Sequence, residues 1–245
     1  MCDEFEQQLI LGSKSVLSRS AFTLFLFEYI PKFGIMNVRI LRYLVRFISK
    51  KQEVRMGEDM SFEKLTKELF LEILEVLDEK LGENRLELSL NIYGGTVMMA
   101  CFDARPATKD IDALFETSPI IDNILINIAE TYDLDKNWIN QDIREPLRQL
   151  KQESLKEIYQ FKNLKVFAPS AEQMLAMKIL SARPEPFKDF DDAEHLIKIL
   201  EIETLEQVLA IFDKYIGRRY LGDRQKMFLN YVGKDLNKKW KEFSV

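Results

Sequence analysis

Two aspartates separated by one residue, Asp110 and Asp112, form the pattern in this sequence that best suits catalysis. On a β-strand, side chains at positions i and i+2 point to the same face, about 6.6 Å apart. Two carboxylates held in that way can bind one or two Mg²⁺ ions, which prefer oxygen ligands and substrate phosphates. The alternative is a pair of solvated acids on an edge strand. Leu114 makes that face apolar, so both acids there would be costly without a compensating cation.

A glycine pair precedes these aspartates, in the run Gly94, Gly95 and Thr96. Glycine lets the backbone approach a ligand closely, and the first N–H groups of a helix favour an anion such as a phosphate. The Thr96 hydroxyl can add one hydrogen bond, although an ordinary turn is the alternative interpretation. Arg105 and Lys109 lie just upstream of the aspartates and can either compensate them or grip a triphosphate.

A third candidate is Lys178, which falls on the apolar side of a helix predicted over 170–182. Met174 and Ala182 flank it on that side. A lysine in such a place either extends its ammonium group to solvent or points it into a site. The sequence leaves these two interpretations open.

Three predicted strands position the first two motifs. Residues 85–93 alternate apolar and polar side chains and end at the glycines, as is typical of a half-buried strand. A second strand over 110–115 carries both aspartates, and a third covers 164–168. The stretch around Trp138 and Asn140 is predicted to be irregular, with Trp138 packed in the core and Asn140 capping a turn.

Helices account for most of the remaining chain. Helical spacing of apolar residues, N-cap residues and breakers predict them at 61–82 (capped by Ser61), 96–102, 120–132, 170–182, 189–200, 204–216 and 223–243. Ser170 with Gln173, and Thr204 with Gln207, fit the capping-box pattern. The sequence therefore predicts an α/β fold of the α+β kind, with a small mixed β-sheet flanked by helices and a helical C-terminal half.

Composition excludes several kinds of site. The chain has 245 residues, of which 47% are apolar and 31% charged, as in a globular protein. Two cysteines make neither a disulfide framework nor a cysteine-based zinc site. The one histidine, His195, excludes multi-histidine metal sites, and a surface or half-buried role suits it better than that of a base. No stretch approaches 18 apolar residues and no secretion signal is visible, so we expect a cytoplasmic protein.

Charge is unevenly distributed along the chain, whose net charge is −5. Residues 1–55 hold nine Lys and Arg against five Asp and Glu, and residues 37–50 fit a basic amphipathic helix. Such a helix can contact RNA or a membrane surface, or pack on the main domain with a solvated edge. Alternatively, the natural protein starts at Met56. We predict a basic helical extension (1–55), a catalytic core (56–168) and a helical part packed on it (169–245).

Together the motifs resemble a known superfamily. The run IYGGTVMMACFDARPATKDIDALF is similar to the signature of the DNA-polymerase-β-like nucleotidyltransferases, namely a strand, Gly-Gly-Ser/Thr, a spacer and Asp-x-Asp. The run APSAEQMLAMKILSARPEPFKDFDDAEHLIKIL narrows the resemblance to stand-alone bacterial nucleotidyltransferase-like proteins, and more distantly to AbiEii-type abortive-infection toxins. The resemblance covers roughly residues 60–215.

The resemblance implies a role for each matching residue. Gly94, Gly95 and Thr96 would hold the nucleotide phosphates, with Arg105 and Lys109 as further phosphate contacts. Asp110 and Asp112 would bind Mg²⁺. Lys178 and Asp189 match the lysine and aspartate that the toxin branch uses downstream.

One departure concerns the metal site. Many superfamily members carry a third carboxylate on the next core strand, but the predicted strand 164–168 has none. Either Asp189 or Asp192 completes the site, or metal binding is weakened and the protein is inactive.

Three functions follow as alternatives. The first is a Mg²⁺-dependent enzyme that moves an NMP from an NTP to an RNA (a tRNA end) or protein acceptor, as a toxin–antitoxin or phage-defence component. The second is an inactive module of the same fold that binds nucleotide or RNA. The third is an antitoxin-type protein whose N-terminal helix docks a partner protein or a second copy of the chain.

Overall fold

The computed structural model describes residues 64–182, 190–236, 240 and 243, and within them the chain forms seven strands and eight α-helices. The strands are β1 (Leu65–Thr66), β2 (Leu88–Ile92), β3 (Ala107–Thr108), β4 (Ile111–Leu114), β5 (Ile139–Asn140), β6 (Leu155–Gln160) and β7 (Leu164–Pro169). The helices are α1 (Lys67–Glu83), α2 (Gly94–Ala100), α3 (Pro119–Tyr132), α4 (Arg144–Leu147), α5 (Ala171–Ser181), α6 (Phe190–Ile199), α7 (Leu205–Tyr215) and α8 (Asp223–Asp235).

Five strands form one mixed sheet in the order β5-β4-β2-β7-β6. β2 pairs antiparallel with β4 and parallel with β7, β4 pairs parallel with β5, and β6 pairs antiparallel with β7. β1 and β3 form a separate antiparallel pair. This arrangement confirms the predicted fold class, a small mixed sheet flanked by helices with a helical C-terminal half.

Helix α1 buries a continuous apolar stripe because its leucines and isoleucines recur every three or four residues. The predicted start of this helix is wrong. Leu65 and Thr66 pair with β3, and the Thr66 hydroxyl accepts a hydrogen bond from the N–H of Leu69 (3.3 Å), so Thr66 is the N-cap. The predicted cap, Ser61, lies outside the described residues.

The buried indole of Trp138 anchors the loop between α3 and β5. Trp138 is 2% exposed, and its Nε1 donates to the carbonyl oxygen of Leu125 on α3 (3.3 Å). The N–H of Ile111 in turn donates to the carbonyl of Trp138 (2.7 Å). The predicted packing role of Trp138 is confirmed, whereas its irregular surroundings are not, because the two residues after it form β5.

The C-terminal half consists of α5 to α8 with short connections. Thr204 and Gln207 make both halves of the predicted capping box. The Ser170 hydroxyl accepts from the N–H of Gln173 (3.3 Å), but the Gln173 side chain accepts from Ser154 N–H (2.6 Å) and not from its own N-cap. That second box is therefore only half formed, because Gln173 instead joins α5 to the start of β6.

Several boundaries differ from the predictions for identifiable reasons. Tyr93 is the N-cap of α2, so β2 stops at Ile92 and both glycines belong to the first helical turn. β6 was not predicted, because its partly exposed LKEIYQ sequence lacks a clear alternation. Helix α8 ends at Asp235, and Trp240 and Phe243 are not helical.

The predictions for residues 1–55 lie outside the described residues. No described helix is long and apolar enough to cross a membrane.

Candidate active site

Strand β4, which lies between β5 and β2, positions the two aspartates at and just before its start. Asp112 pairs with Asn140 of β5 in parallel register, and its carbonyl accepts from the N–H of Tyr93 at the end of β2 (2.8 Å). Asp110 immediately precedes β4 and is exposed, whereas Asp112 is half-buried. Since residues two apart on a strand share a face, both carboxylates lie on the face that carries Asn140.

Two threonine hydroxyls hold the backbone of Asp110. Thr96 Oγ1 donates to the carbonyl oxygen of Asp110 (3.0 Å), and Thr108 Oγ1 donates to the same oxygen (3.2 Å). Thr96 is fully buried. The sequence analysis assigned the Thr96 hydroxyl to phosphate binding, but in the structure this hydroxyl positions the aspartate strand.

The glycine pair makes room for the functional side chains. Gly94 has φ +60°, in the left-handed region, and a methyl group at its Cα would lie 2.0 Å from Oδ2 of Asp112. A methyl group at Gly95 would lie 2.7 Å from Thr108 Oγ1 and 3.1 Å from Arg105 Nη1. Both positions therefore require glycine, because the Asp112 carboxylate and the Arg105 guanidinium pack against the turn.

Asn140 is a site residue that the sequence analysis missed, having assigned it only to capping a turn. That cap exists, since Asn140 Oδ1 accepts from the N–H of Asp142 (3.0 Å). The bond fixes the orientation of the amide, which leaves Nδ2 to donate to the Asp112 carboxylate. The signal available in the sequence was an amide after an apolar segment, which is too common to identify a site.

The environment of Asp112 disfavours its ionised form. Burial raises the pKa of Asp112, and the negative charges of Asp110 and Asp142 raise it further. The hydrogen bond from Asn140 and the charge of Lys178 lower the same pKa, but they do not cancel the increase. A cation bound beside Asp112 would favour the ionised carboxylate, against the effects of burial and of the two neighbouring carboxylates.

A buried ion cluster lies beside the aspartates. The Asp192 carboxylate, 2% exposed, accepts Lys178 Nζ at Oδ2 (2.8 Å), Arg105 Nε at Oδ1 (3.2 Å) and Arg105 Nη2 at Oδ2. Lys178 is 8% exposed, so its ammonium points into the site and not to solvent. Because its charge also acts on Asp112, Lys178 connects the cluster to the face that carries the two aspartates.

Comparison with protein families identifies the group to which this architecture belongs. The model of a family described as a nucleotidyltransferase of unknown function (DUF6036) matches residues 68–231. The chain belongs to this family. No curated protein matches it. A solved structure described as an antigenic nucleotidyltransferase-like protein from Paracoccidioides brasiliensis is 14% identical, covers 73% of this chain and 97% of that chain, and has a TM-score of 0.40.

The strands on either side of β4 in this DUF6036 chain are β2 and β5. Strand β7 (the predicted 164–168) pairs with β2, whereas the strand beside the aspartates on the other side is β5. There an amide, Asn140, stands opposite Asp112. Asp192 is one of the two acids predicted as a substitute for the third carboxylate. Its carboxylate forms ion pairs with Arg105 and Lys178. The other, Asp189, lies outside the described residues.

The donor set of this DUF6036 site fits Mg²⁺ held in part by its substrate. Among the described residues, no group of three or more His, Cys, Asp and Glu side chains is arranged to hold a metal ion by itself. Mg²⁺ in phosphoryl-transfer sites is commonly bound through one or two carboxylates plus substrate phosphates. Asp110 and Asp112 supply that number of carboxylates on one face.

Three further residues have simpler positions. Lys109 is exposed at the entrance to β4. His195 is half-buried, as expected, and its Nε2 lies 2.8 Å from the carbonyl oxygen of Phe102. Cys101 is also half-buried, and burial raises the pKa of its thiol to about 11, which makes it a poor nucleophile.

Proposed function

We propose that this protein is a Mg²⁺-dependent nucleotidyltransferase that moves an NMP from an NTP to an acceptor. The observation that carries the proposal is the contact between the Asp112 carboxylate and Gly94, beside Asp110 on the same strand face. Two carboxylates and a glycine turn then border one space, and a cation bound there would offset the burial and the repulsion that disfavour ionised Asp112. Membership of a nucleotidyltransferase family supports the same reaction class.

Asp110 and Asp112 would hold Mg²⁺, which when bound neutralises charge on the triphosphate and orients its α-phosphate. Arg105 lies against Gly95, and Lys178 is near enough to Asp112 to lower its pKa. Both cations can therefore contact the triphosphate from the same side. Asp192 would keep them in place between turnovers, because its carboxylate bonds to both.

In the proposed reaction one bond to the α-phosphorus forms and one breaks. An acceptor hydroxyl oxygen forms a bond to the α-phosphorus, and the bond from that phosphorus to the α,β-bridging oxygen breaks. Pyrophosphate leaves with the electron pair, and the hydroxyl proton passes to solvent. The role of Asp112 and Asp110 is to position charge and not to transfer the proton.

The acceptor is proposed to be an RNA end or a protein hydroxyl, with a toxin–antitoxin or phage-defence role as the setting. These finer assignments come from the resemblance of residues 60–215 to stand-alone bacterial nucleotidyltransferase-like proteins and, more distantly, to AbiEii-type toxins. The inactive module is the second candidate, because an amide stands opposite Asp112 where a third carboxylate would complete the metal site.

Label transfer distinguishes the two. The full chain is incubated with Mg²⁺, each α-labelled NTP in turn, and cellular RNA plus protein. Asp110→Asn and Asp112→Asn are compared with Glu116→Gln, an exposed acid just beyond β4 that serves as the matched control. We expect transfer with the wild type and the control and its loss in both aspartate variants. Nucleotide binding without transfer, unaffected by Mg²⁺, would favour the inactive module.

A further inference from the structure

A basic surface next to the candidate site is not used by the proposed reaction. It combines residues 144–151, which include α4, with residues 213–226, which run from the end of α7 through a 3₁₀ turn into α8. These two segments hold eight Lys and Arg against three Asp and Glu, a net charge of +5 in a chain whose net charge is −5. We call them together the α4–α8 surface.

The fold joins these segments, although they are more than sixty residues apart in sequence. The N–H of Lys151 donates to the carbonyl of Tyr215 (2.7 Å), and Lys151 Nζ contacts Asp213 (3.0 Å). The Lys151 side chain also packs on Gly217, where a methyl group would lie 2.8 Å from its Cε. Arg218 and Arg219 are exposed directly after that glycine.

The surface has the chemistry of a phosphate-binding surface. Five of its eight cations are arginines, whose planar guanidinium groups bind phosphate oxygens in pairs. The Arg219 guanidinium lies over the Tyr220 ring, 4.8 Å from its centroid, and Nη2 reaches the Tyr220 hydroxyl (3.2 Å). An arginine held on an aromatic ring is preorganised to bind a phosphate.

The surface begins at the candidate site. Asp142, whose charge acts on Asp112, is two residues before Arg144 and nine before Lys151. Nine residues span at most about 30 Å, and the helical turn of α4 shortens that length. A polyanion lying along the cations would therefore have one end next to the aspartates.

We propose that the α4–α8 surface binds the phosphate backbone of a nucleic-acid strand. The inference goes beyond the proposed function, because such binding requires neither Mg²⁺ nor nucleotidyl transfer. The acidic remainder of the chain would repel the strand and restrict it to this face. The α4–α8 surface and the basic helix predicted over 37–50 are different parts of the chain. Charge reversal at each of them therefore tests each as a nucleic-acid contact separately.

The test is fluorescence anisotropy of the full chain with a labelled RNA of about 16 nucleotides, and with DNA of the same sequence, over a series of salt concentrations. The test variant is Arg218→Glu with Arg219→Glu. The matched control is Lys162→Glu with Lys165→Glu, an equal charge change at the exposed β6–β7 hairpin. A third variant, Arg42→Glu with Arg46→Glu, tests the predicted N-terminal helix.

We expect the Arg218/Arg219 variant to bind roughly tenfold more weakly and its salt slope to fall by about 1.4–1.8, the loss of two phosphate contacts. The hairpin control should stay within about twofold of wild type. Tighter binding of RNA than DNA would identify RNA as the ligand. Equal losses in all variants, a loss confined to the Arg42/Arg46 variant, or no binding by the wild type would each overturn the proposal. Asp110→Asn should lose nucleotidyl transfer but bind the labelled RNA as the wild type does. A failure of nucleotidyl transfer would therefore not count against nucleic-acid binding by this surface.

Discussion

The Asp112 carboxylate lies so close to Gly94 that a methyl group on the glycine Cα would be 2.0 Å from Oδ2. Gly94→Ala would therefore displace Asp112, and φ +60° would cost the alanine a further 1–2 kcal/mol, roughly. We expect loss of transfer and a lower melting temperature, measured by label transfer and thermal unfolding. The control is Gly222→Ala, at a negative φ outside the site, which should retain activity. Full activity in Gly94→Ala would show that Asp112 can move without consequence.

Asp112→Asn should raise the stability of the protein while it abolishes nucleotidyl transfer. Since the folded-state pKa of Asp112 is raised, its ionised form destabilises the fold, and the stability present below its unfolded pKa is lost as pH rises through the folded value. The amide removes that penalty, so we expect a higher melting temperature than wild type at pH 7, with a gain that shrinks as the pH falls through the raised folded value and is gone below the unfolded value of about 4. Each kcal/mol corresponds to roughly 2–4 °C in a chain of this size. An unchanged or lower melting temperature at pH 7 would contradict the electrostatic account.

The Asp192 cluster should be a stabilising as well as a functional unit. Removing one member of a buried ion pair costs about 3–5 kcal/mol, because the remaining charge is left uncompensated. Asp192→Asn leaves two cations, Arg105 and Lys178, so we expect a loss of about that size in denaturant unfolding. The exposed neighbour Asp191 is the control, and Asp191→Asn should change stability by less than about 0.5 kcal/mol. Similar effects of the two substitutions would rule out the cluster's structural role.

Double substitution tests the pairing directly. Lys178→Met combined with Asp192→Leu should cost less than the sum of the two single changes, because the double variant leaves only Arg105 without its partner, whereas Asp192→Leu alone leaves both cations. A double-mutant cycle measures the coupling, which for contacting residues is about 0.5–3 kcal/mol. Simple additivity would mean that the 2.8 Å contact carries no net interaction.

Asn140 should affect the pH dependence of transfer. Its amide donates to Asp112 and lowers the pKa of that carboxyl, so Asn140→Ala should move the acidic limb of the pH–rate profile to higher pH. Asn137→Ala, an exposed asparagine in the same loop, is the control. The profile is measured as kcat/KM for the NTP. A uniform loss of rate with no movement of the limb would instead indicate a packing role.

The strongly patterned parts of the fold were predictable from the sequence. The alternation in 85–93 and the helical spacing in 61–82, 120–132 and 204–216 predicted β2, α1, α3 and α7, because each element buries one continuous face. The two-residue strands β1, β3 and β5 were not predictable, since so short a segment has no periodicity and depends on partners far away in sequence.

The candidate site was predictable as a set of residue types but not as a set of contacts. The spacing of Asp110 and Asp112 and the glycine pair are local features. The contact of Asp192 with Lys178 arises only when α5 and α6 pack together, and its contact with Arg105, 87 residues away, requires the segment before β3 to meet α6. Likewise, the role of Asn140 depends on the register of β5 beside β4, which no local pattern specifies.

The most direct test of the central claim is to measure both products of one reaction. With Mg²⁺, an α-labelled NTP and the acceptor found by label transfer, the account predicts equimolar pyrophosphate release and label incorporation. Both should be abolished in Asp112→Asn and unchanged in Glu116→Gln. Release of γ-phosphate without incorporation, or transfer that persists in Asp112→Asn, would contradict the account.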